Sequence, residues 1–183
     1  PAAVRPRVGK PGRGLALGAW PGPPAVHCAP AVPHLRWQAS DLAESLAGIW
    51  AWRAAAGLAN LPPPVVLDCA FGPWPAHKFD AVYSANTVHY MSWACVCQMF
   101  VGLRQVLKPS GQLLVYGPFN VNNQFTSEGN RRLDAWLRQH DPQFGLRDLG
   151  ALVELGNNCA LELEDNLAMP ANNRLLCWRA TEY

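Results

Sequence analysis

The 183-residue chain has no uninterrupted apolar run of the roughly 18–20 residues that a bilayer-spanning helix needs, so no membrane span is expected. It is poor in charge. Only 15% of residues are Asp, Glu, Lys or Arg against 50% hydrophobic, which argues against a disordered polyelectrolyte and fits a globular domain with its own core. None of the six cysteines, Cys28, Cys69, Cys95, Cys97, Cys159 and Cys177, forms a C-x-x-C pair, so no zinc-ribbon or thioredoxin-type motif is present. No apolar run follows the basic N-terminal residues, and the cysteines read as reduced thiols of an intracellular protein, cytoplasmic or nuclear. Cys95-x-Cys97 with His89 nearby is not read as a metal site, because positions two apart on a helix face different directions. Acids are missing from the first forty positions, which hold Arg5, Arg7, Lys10, Arg13 and Arg36. The remainder carries ten basic and thirteen acidic residues, so the body of the protein makes no strong case for nucleic acid.

What is present is an alternation of strand-like and helix-like segments. Residues 1–14, rich in Pro, Gly and Arg, are expected to be a disordered basic tail, and 15–183 a single domain. Strands are expected at Leu15–Leu17, Leu35–Gln38, Val65–Leu67, Ala81–Ser84 and within "QLLVYGPF" at 112–119. A short helix is expected over Ala25–Ala31 and an Ala-rich one from Leu42 to a stop at Gly57. Another is expected from an N-cap at Ser92 to Val106, and two more over 127–139 and 148–156. "LKPSG" reads as a turn with Gly111 at its awkward backbone position. Gly156 reads as a helix stop. Leu161 and Leu163 alternate with Glu162 and Glu164, and a brief "PANN" leads to a strand at Leu175–Arg179. Strands joined so briefly must be antiparallel. The pattern is α/β: a mostly parallel sheet closed by a C-terminal hairpin.

In open α/β sheets, ligands bind beyond the carboxyl ends of the parallel strands. Those ends carry Gly18 to Gly22, Asp41, Asp68 and Asn86. A carboxylate after the second strand suits a ribose diol, and a polar residue after the third suits an adenine edge. The same three side chains are also ordinary helix, turn or loop caps. By pattern alone the constellation fits an adenosine-containing ligand and does not separate NAD from S-adenosylmethionine. His89 and Tyr116 follow strands four and five, near where a second substrate would bind. Either suits a base, and either suits a half-buried packing residue with a satisfied hydrogen bond. The tryptophans 37, 50, 52, 93, 136 and 178 read as core or rim aromatics.

The segments "PHLRWQASDL" (33–42), "FDAVYSANTVHYMSWAC" (79–95), "LKPSGQLLVYGPF" (107–119), "GLRDLGALVELG" (145–156) and "MPANNRLLCWR" (169–179) resemble the class I S-adenosylmethionine-dependent methyltransferases. More narrowly, they resemble the methyltransferase-like 26 family. The resemblance implies a Rossmann-like, seven-stranded, mostly parallel sheet with a C-terminal antiparallel hairpin, and S-adenosylmethionine as cofactor. It implies Gly18 and Gly22 in the cofactor loop, Asp41 with adjoining Leu42 at the ribose, Asp68 with Cys69 at the adenine, and Asn86 beside the sulfonium. It does not name the acceptor substrate. The family's first strand carries an acid and then a G-x-G-x-G loop. Here Ala16 replaces the acid, Trp20 the central glycine, and Pro23-Pro24 fill the helix start. Two or three lost polar contacts at about 1–2 kcal/mol each would weaken cofactor binding about 10²–10⁴-fold. The alternatives are a non-catalytic scaffold on the same fold, and an NAD-type oxidoreductase, which the closing hairpin disfavours.

Overall fold

The structure, a computed structural model, describes residues 11–18 and 29–181. Seven strands form one sheet in the order β3-β2-β1-β4-β5-β7-β6. The strands are β1 (Gly12–Leu17), β2 (Leu35–Asp41), β3 (Val65–Val66), β4 (Phe79–Ala85), β5 (Leu107–Pro118), β6 (Leu161–Met169) and β7 (Asn173–Ala180). β1 to β5 run parallel. β7 lies antiparallel to both β5 and β6. The α/β architecture expected from the sequence, a mostly parallel seven-stranded sheet with a reversed C-terminal hairpin, is the one observed.

The parallel strands are covered on both faces, which is why they read as continuous apolar runs. Leu15, Leu17, Val82, Leu113, Val115, Leu176 and Trp178 point to one face. There they meet Val96, Met99, Phe100, Leu103 and Val106 of α2 (Trp93–Val106) and Leu152 of α4 (Leu149–Asn158). The alternating residues Ala16, Ala81, Tyr83, Leu114, Leu175 and Cys177 point to the other face, with Ile49 of α1 (Leu46–Ala56). The fourth helix, α3 (Glu128–His140), follows β5. Of the tryptophans, Trp37 and Trp178 are buried, whereas Trp50, Trp52, Trp93 and Trp136 are exposed.

Local chemistry sets the helix ends. Ser92 accepts from Cys95 N, as expected, and Asp148 accepts from Gly150 N at the start of α4. Ser127 caps α3 by accepting from Asn130 N. Gly57 ends α1 in the left-handed conformation, at φ 58.

Four expectations need correction. β1 starts at Gly12, so Gly12 to Gly14 belong to the sheet and not to a disordered tail; Gly12 pairs with Leu35, and Gly14 with Trp37 and Ala81. α4 runs past Gly156 to Asn158. In "LKPSG" the positive φ falls on Ser110, at 59, not on Gly111. The Ala-rich helix begins at Leu46, after a 3-10 turn at Ala43–Ser45. Of the helix expected over Ala25–Ala31, the described part is a single 3-10 turn at Ala29–Ala31; residues 25–28, with Gly22, Trp20, Pro23, Pro24 and residues 1–10, lie outside the described residues. Among the described residues, no helix is long and apolar enough to cross a membrane.

Candidate functional site

The chain leaves β1 toward β2 and β3 on one side, then returns to β4 and β5 on the other. The point of reversal is therefore the gap between β1 and β4, where open α/β sheets bind ligands. The register brings the candidate residues to this edge together. Leu17 pairs with Ser40 on one side and Ser84 on the other, and Asp41 pairs with Val66. Gly18, Asp41, Leu42, Asp68, Cys69 and Asn86 therefore all emerge at the same carboxyl edge. Gly22, the remaining expected member, lies outside the described residues.

Gly18 has φ 61, and a Cβ there would lie 2.5 Å from Thr87 Oγ1 and 2.7 Å from its Cγ2. Only glycine lets the end of β1 pass this closely under the loop after β4. On the β2 side, Ser40 Oγ donates to the Ala16 carbonyl at 2.8 Å, so the first strand is tied to its neighbour just before the loop. Ala16 itself is buried in the apolar layer with Ala39 and Tyr83. Thr87 was not visible as a site residue from sequence. Its only signal is its place two residues after β4, facing the glycine.

Asp41 Oδ1 accepts from Leu42 N at 2.7 Å, and the Asp41 carbonyl accepts from Leu67 N at 2.9 Å. Asp68 closes its own turn, with Oδ1 accepting from Ala70 N at 2.8 Å and Phe71 N at 3.2 Å. Its capping role is thus real, and both of these bonds use Oδ1. Cys69 sits between the acids. Burial first, then the charges of Asp68 and Asp41, push its thiol up to about 12. It is a protonated, small apolar side chain at physiological pH and not a nucleophile.

Asn86 is exposed and left-handed, at φ 54, and its N–H donates to the Tyr116 carbonyl at 2.9 Å. A Cβ built on Gly117 would lie 3.5 Å from Asn86 Oδ1 and 3.8 Å from both Cε1 and Nδ1 of His89. Asn86 and His89 thus meet over one spot on β5. His89 is only 3% exposed, yet its Nδ1 has no hydrogen-bond partner among the described residues. That departs from the expectation of a packing histidine with a satisfied hydrogen bond. Burial, and then the charge of Arg147, lower its pKa to about 4, so the ring is neutral.

Arg147 of "GLRD" braces the turn that carries His89. Its Nε donates to the Val88 carbonyl at 3.1 Å, and Nη2 donates to the carbonyls of Met91 and Gln143. Gly145 N adds a bond to the His89 carbonyl at 3.0 Å. Asp148, the next residue, caps the start of α4, whereas Arg147 serves the 88–91 turn. The "PANN" turn lies at the same edge, because Asn173 pairs with Pro118 at the end of β5. Asn172 O accepts from Asn130 Nδ2 of α3 at 3.5 Å. The turn therefore both closes the hairpin and borders the site. Among the described residues, no group of three His, Cys, Asp or Glu side chains is arranged to hold a metal.

Residues 3–180 match the family described as "Protein of unknown function (DUF938)". Solved structures of similar fold include an O-methyltransferase family 2 protein from Planctomyces limnophilus in complex with apigenin, at 14% identity and TM-score 0.86 over 98% of this chain and 55% of that one. A putative O-methyltransferase from Nostoc punctiforme has 15% identity and TM-score 0.82, over 94% of this chain and 53% of that one. The apo S-adenosylmethionine-dependent methyltransferase SibL has 19% identity and TM-score 0.78, over 93% and 50%. The chain spans about half the length of these proteins. At these identities the likeness establishes the fold: this is the class I methyltransferase fold. With nearly its whole length matched, the chain belongs to the DUF938 family.

Proposed function

We propose that this DUF938 protein is an S-adenosylmethionine-binding methyltransferase of the methyltransferase-like 26 type, with cofactor affinity reduced by its altered first loop. The observation that carries the reading is that Gly18, Asp41, Asp68, Cys69 and Asn86 all lie on one carboxyl edge of the sheet, along β3, β2, β1 and β4. The donor set suits the cofactor. Asp41 offers carboxylate oxygens for a ribose diol, and Leu42 and Cys69 offer apolar contact around an adenine whose edge meets Asp68. Gly18 gives the backbone the approach that the methionine portion requires, and Asn86 borders the place of the reacting centre. The bound cofactor would supply an electrophilic methyl group on a sulfonium. The protein's part is to hold donor and acceptor in line and to keep water out, since displacement at a methyl group depends on positioning.

Ala16, Trp20, Pro23 and Pro24 argue for weak binding. The buried setting of Ala16 adds that an acid restored there would have to enter an apolar layer. Trp20→Gly alone is therefore the cleaner repair. Isothermal titration of S-adenosylmethionine into the full chain tests the reading. Saturable heat that falls at least about tenfold in affinity in Asp41→Ala supports it, as expected for a lost charged hydrogen bond. Tightening in Trp20→Gly supports the loop defect. No heat in either wild type or Trp20→Gly favours the second reading, a non-catalytic scaffold on the same fold, toward which the commitment of Asp68 Oδ1 to its own turn also points.

A further inference from the structure

Helix α1 reads LAGIWAWRAAA and carries one charge, Arg53. A helix that is apolar all round is normally buried all round. This one is not. Leu46, Ile49 and Ala56 turn inward to the apolar layer of the sheet. Ala47, Trp50, Ala51, Trp52, Ala54 and Ala55 are exposed. At about 100° per residue these six make up one outward face. Ala51 lies at its centre, in line with Ala47 and Ala55 about one turn to either side. Trp50 and Trp52 flank that line, one on each side, and are 44% and 46% exposed. The charge stays out of the face. Arg53 turns toward the segment that enters β3, where its Nε donates to the Leu61 carbonyl at 2.8 Å. Its guanidinium lies 5.5 Å from the Trp50 ring centroid, a cation–π contact that holds this indole in place.

We propose that this face binds the same face of a second copy of the chain, α1 against α1 and antiparallel, about a two-fold axis beside Ala51. The residue pattern argues for that occupant. A two-fold contact must be self-complementary. Outward from Ala51, the exposed side of α1 reads almost alike in both directions: Trp50 and Trp52, then Gly48 and Ala54, then Ala47 and Ala55. Antiparallel pairing sets Ala51 against the partner's Ala51, and Ala47 against the partner's Ala55. Side chains this small let the helix axes approach to about 8 Å. Each indole then meets its own equivalent, because the two Trp50 rings are offset by only about 3 Å along the axis, as are the two Trp52 rings. Indoles are favoured anchors of interfaces, and charge is depleted from interface cores, as it is from this face. Opposed helix dipoles favour the antiparallel arrangement over the parallel one. The exposed parts of the two indoles and the four alanines come to roughly 400 Å² per copy. Val66, 59% exposed on the edge strand β3, extends the apolar tract. This is about half of what a standard interface takes from each partner, so the dimer is a weak one, with Kd on the order of 100 μM. The proposal does not rest on the methyl-transfer reading.

Sedimentation velocity of the full chain, from about 5 to 500 μM, tests it. The mass should rise from monomer toward dimer across that range. Ala51→Glu, at an exposed position where glutamate suits a helix, should weaken association at least about tenfold with the thermal midpoint unchanged, because two carboxylates would meet at the axis. Trp50→Ala and Trp52→Ala should each weaken it about fivefold or more. Cross-linking with oxidised glutathione fixes the register. Ala51→Cys should link to itself, since its two Cβ atoms face each other across the axis. Ala47→Cys should not, because its two copies lie about 12 Å apart along the axis, but it should link to Ala55→Cys in a mixture. The wild-type chain, with its own six cysteines, sets the background. A chain that stays monomeric at about 500 μM, a dimer that Ala51→Glu leaves intact, or Ala47→Cys linking to itself as fast as Ala51→Cys would overturn the proposal. Titration of Ala51→Glu with S-adenosylmethionine reads the methyl-transfer proposal separately, since position 51 lies off the carboxyl edge of the sheet.

Discussion

The junction of β1 and β4 depends on one close approach, and Gly18→Ala tests it without any ligand. Alanine at φ 61 costs about 1–2 kcal/mol, because Cβ then crowds the backbone. The new Cβ would also lie 2.5 Å from Thr87 Oγ1, 2.7 Å from Cγ2 and 3.1 Å from Cβ. Such overlap in a packed setting adds about 1–3 kcal/mol, for a total of about 2–5. Thr87→Ala removes the two nearest atoms, at the cost of the Oγ1 bond to the Ala85 carbonyl, about 1 kcal/mol. The two substitutions should therefore be coupled. In the Thr87→Ala background, Gly18→Ala should lose only the backbone part, leaving a favourable interaction of about 1–3 kcal/mol in the double-mutant cycle. Urea unfolding of the four proteins measures it, with unchanged slopes required for the comparison. A cost for Gly18→Ala below about 1 kcal/mol, or the same cost in both backgrounds, would refute the close approach of these loops.

His89 predicts a pH dependence. Its folded pKa of about 4 lies below the unfolded value of 6.5, so the folded state binds its proton less well. The stability from keeping the ring neutral is complete above pH 6.5 and is lost as pH falls toward 4, by about 3 kcal/mol in all. Urea midpoints across this range should show the loss in wild type, and His89→Gln should remove that part of it. Arg147→Met should cost about 2–4 kcal/mol by leaving the carbonyls of Val88, Met91 and Gln143 without their donor. It should also bring the His89 pKa up toward its ordinary value in an NMR titration, because a repelling charge is removed. Gly102→Ala would put a Cβ 2.1 Å from the Trp74 ring and should destabilise by about 1–3 kcal/mol in thermal or urea unfolding; an unchanged midpoint would contradict the packing of α2.

The strands and the site edge were legible in sequence because both follow from short-range rules. Buried parallel strands are apolar on both faces, as at 81–84, and capping residues announce themselves, as at Ser92, Asp148 and Gly57. Asp41, Asp68 and Asn86 lie at the carboxyl edge where they were expected, because strand ends are where such a sheet keeps its polar groups. What failed was the reading of several glycines. Gly12 and Gly14 looked like part of a disordered tail, yet they are sheet residues. A Cβ on Gly14 would lie 2.5 Å from the Trp37 ring, so the apolar side chain that fills this position comes from the neighbouring strand. Gly156 looked like a helix stop, but a Cβ there would meet Trp178 Nε1 at 2.7 Å while the helix continues. Gly111 looked like the left-handed residue of its turn, but the constraint on it is the Lys108 carbonyl, 2.8 Å from its would-be Cβ. Long-range packing set these glycines, and periodicity carries no record of it. Thr87 and Gly117 were missed for the same reason: their roles are defined by a partner across the sheet.

The glycines so explained share a pattern that bears on the loop. Trp37, Trp74 and Trp178 each rest on a glycine, Gly14, Gly102 and Gly156, whose missing side chain makes room for the indole. Among the described residues, the indoles that are not exposed are those for which a partner glycine gives up volume. The family resemblance sets Trp20 against the central glycine of a cofactor loop, and Gly18, two residues earlier, offers no such room. The side-chain space at Gly18 is already taken by Thr87. Under the methyl-transfer reading, the gain in S-adenosylmethionine affinity on Trp20→Gly measures how far an indole and the cofactor compete for one volume.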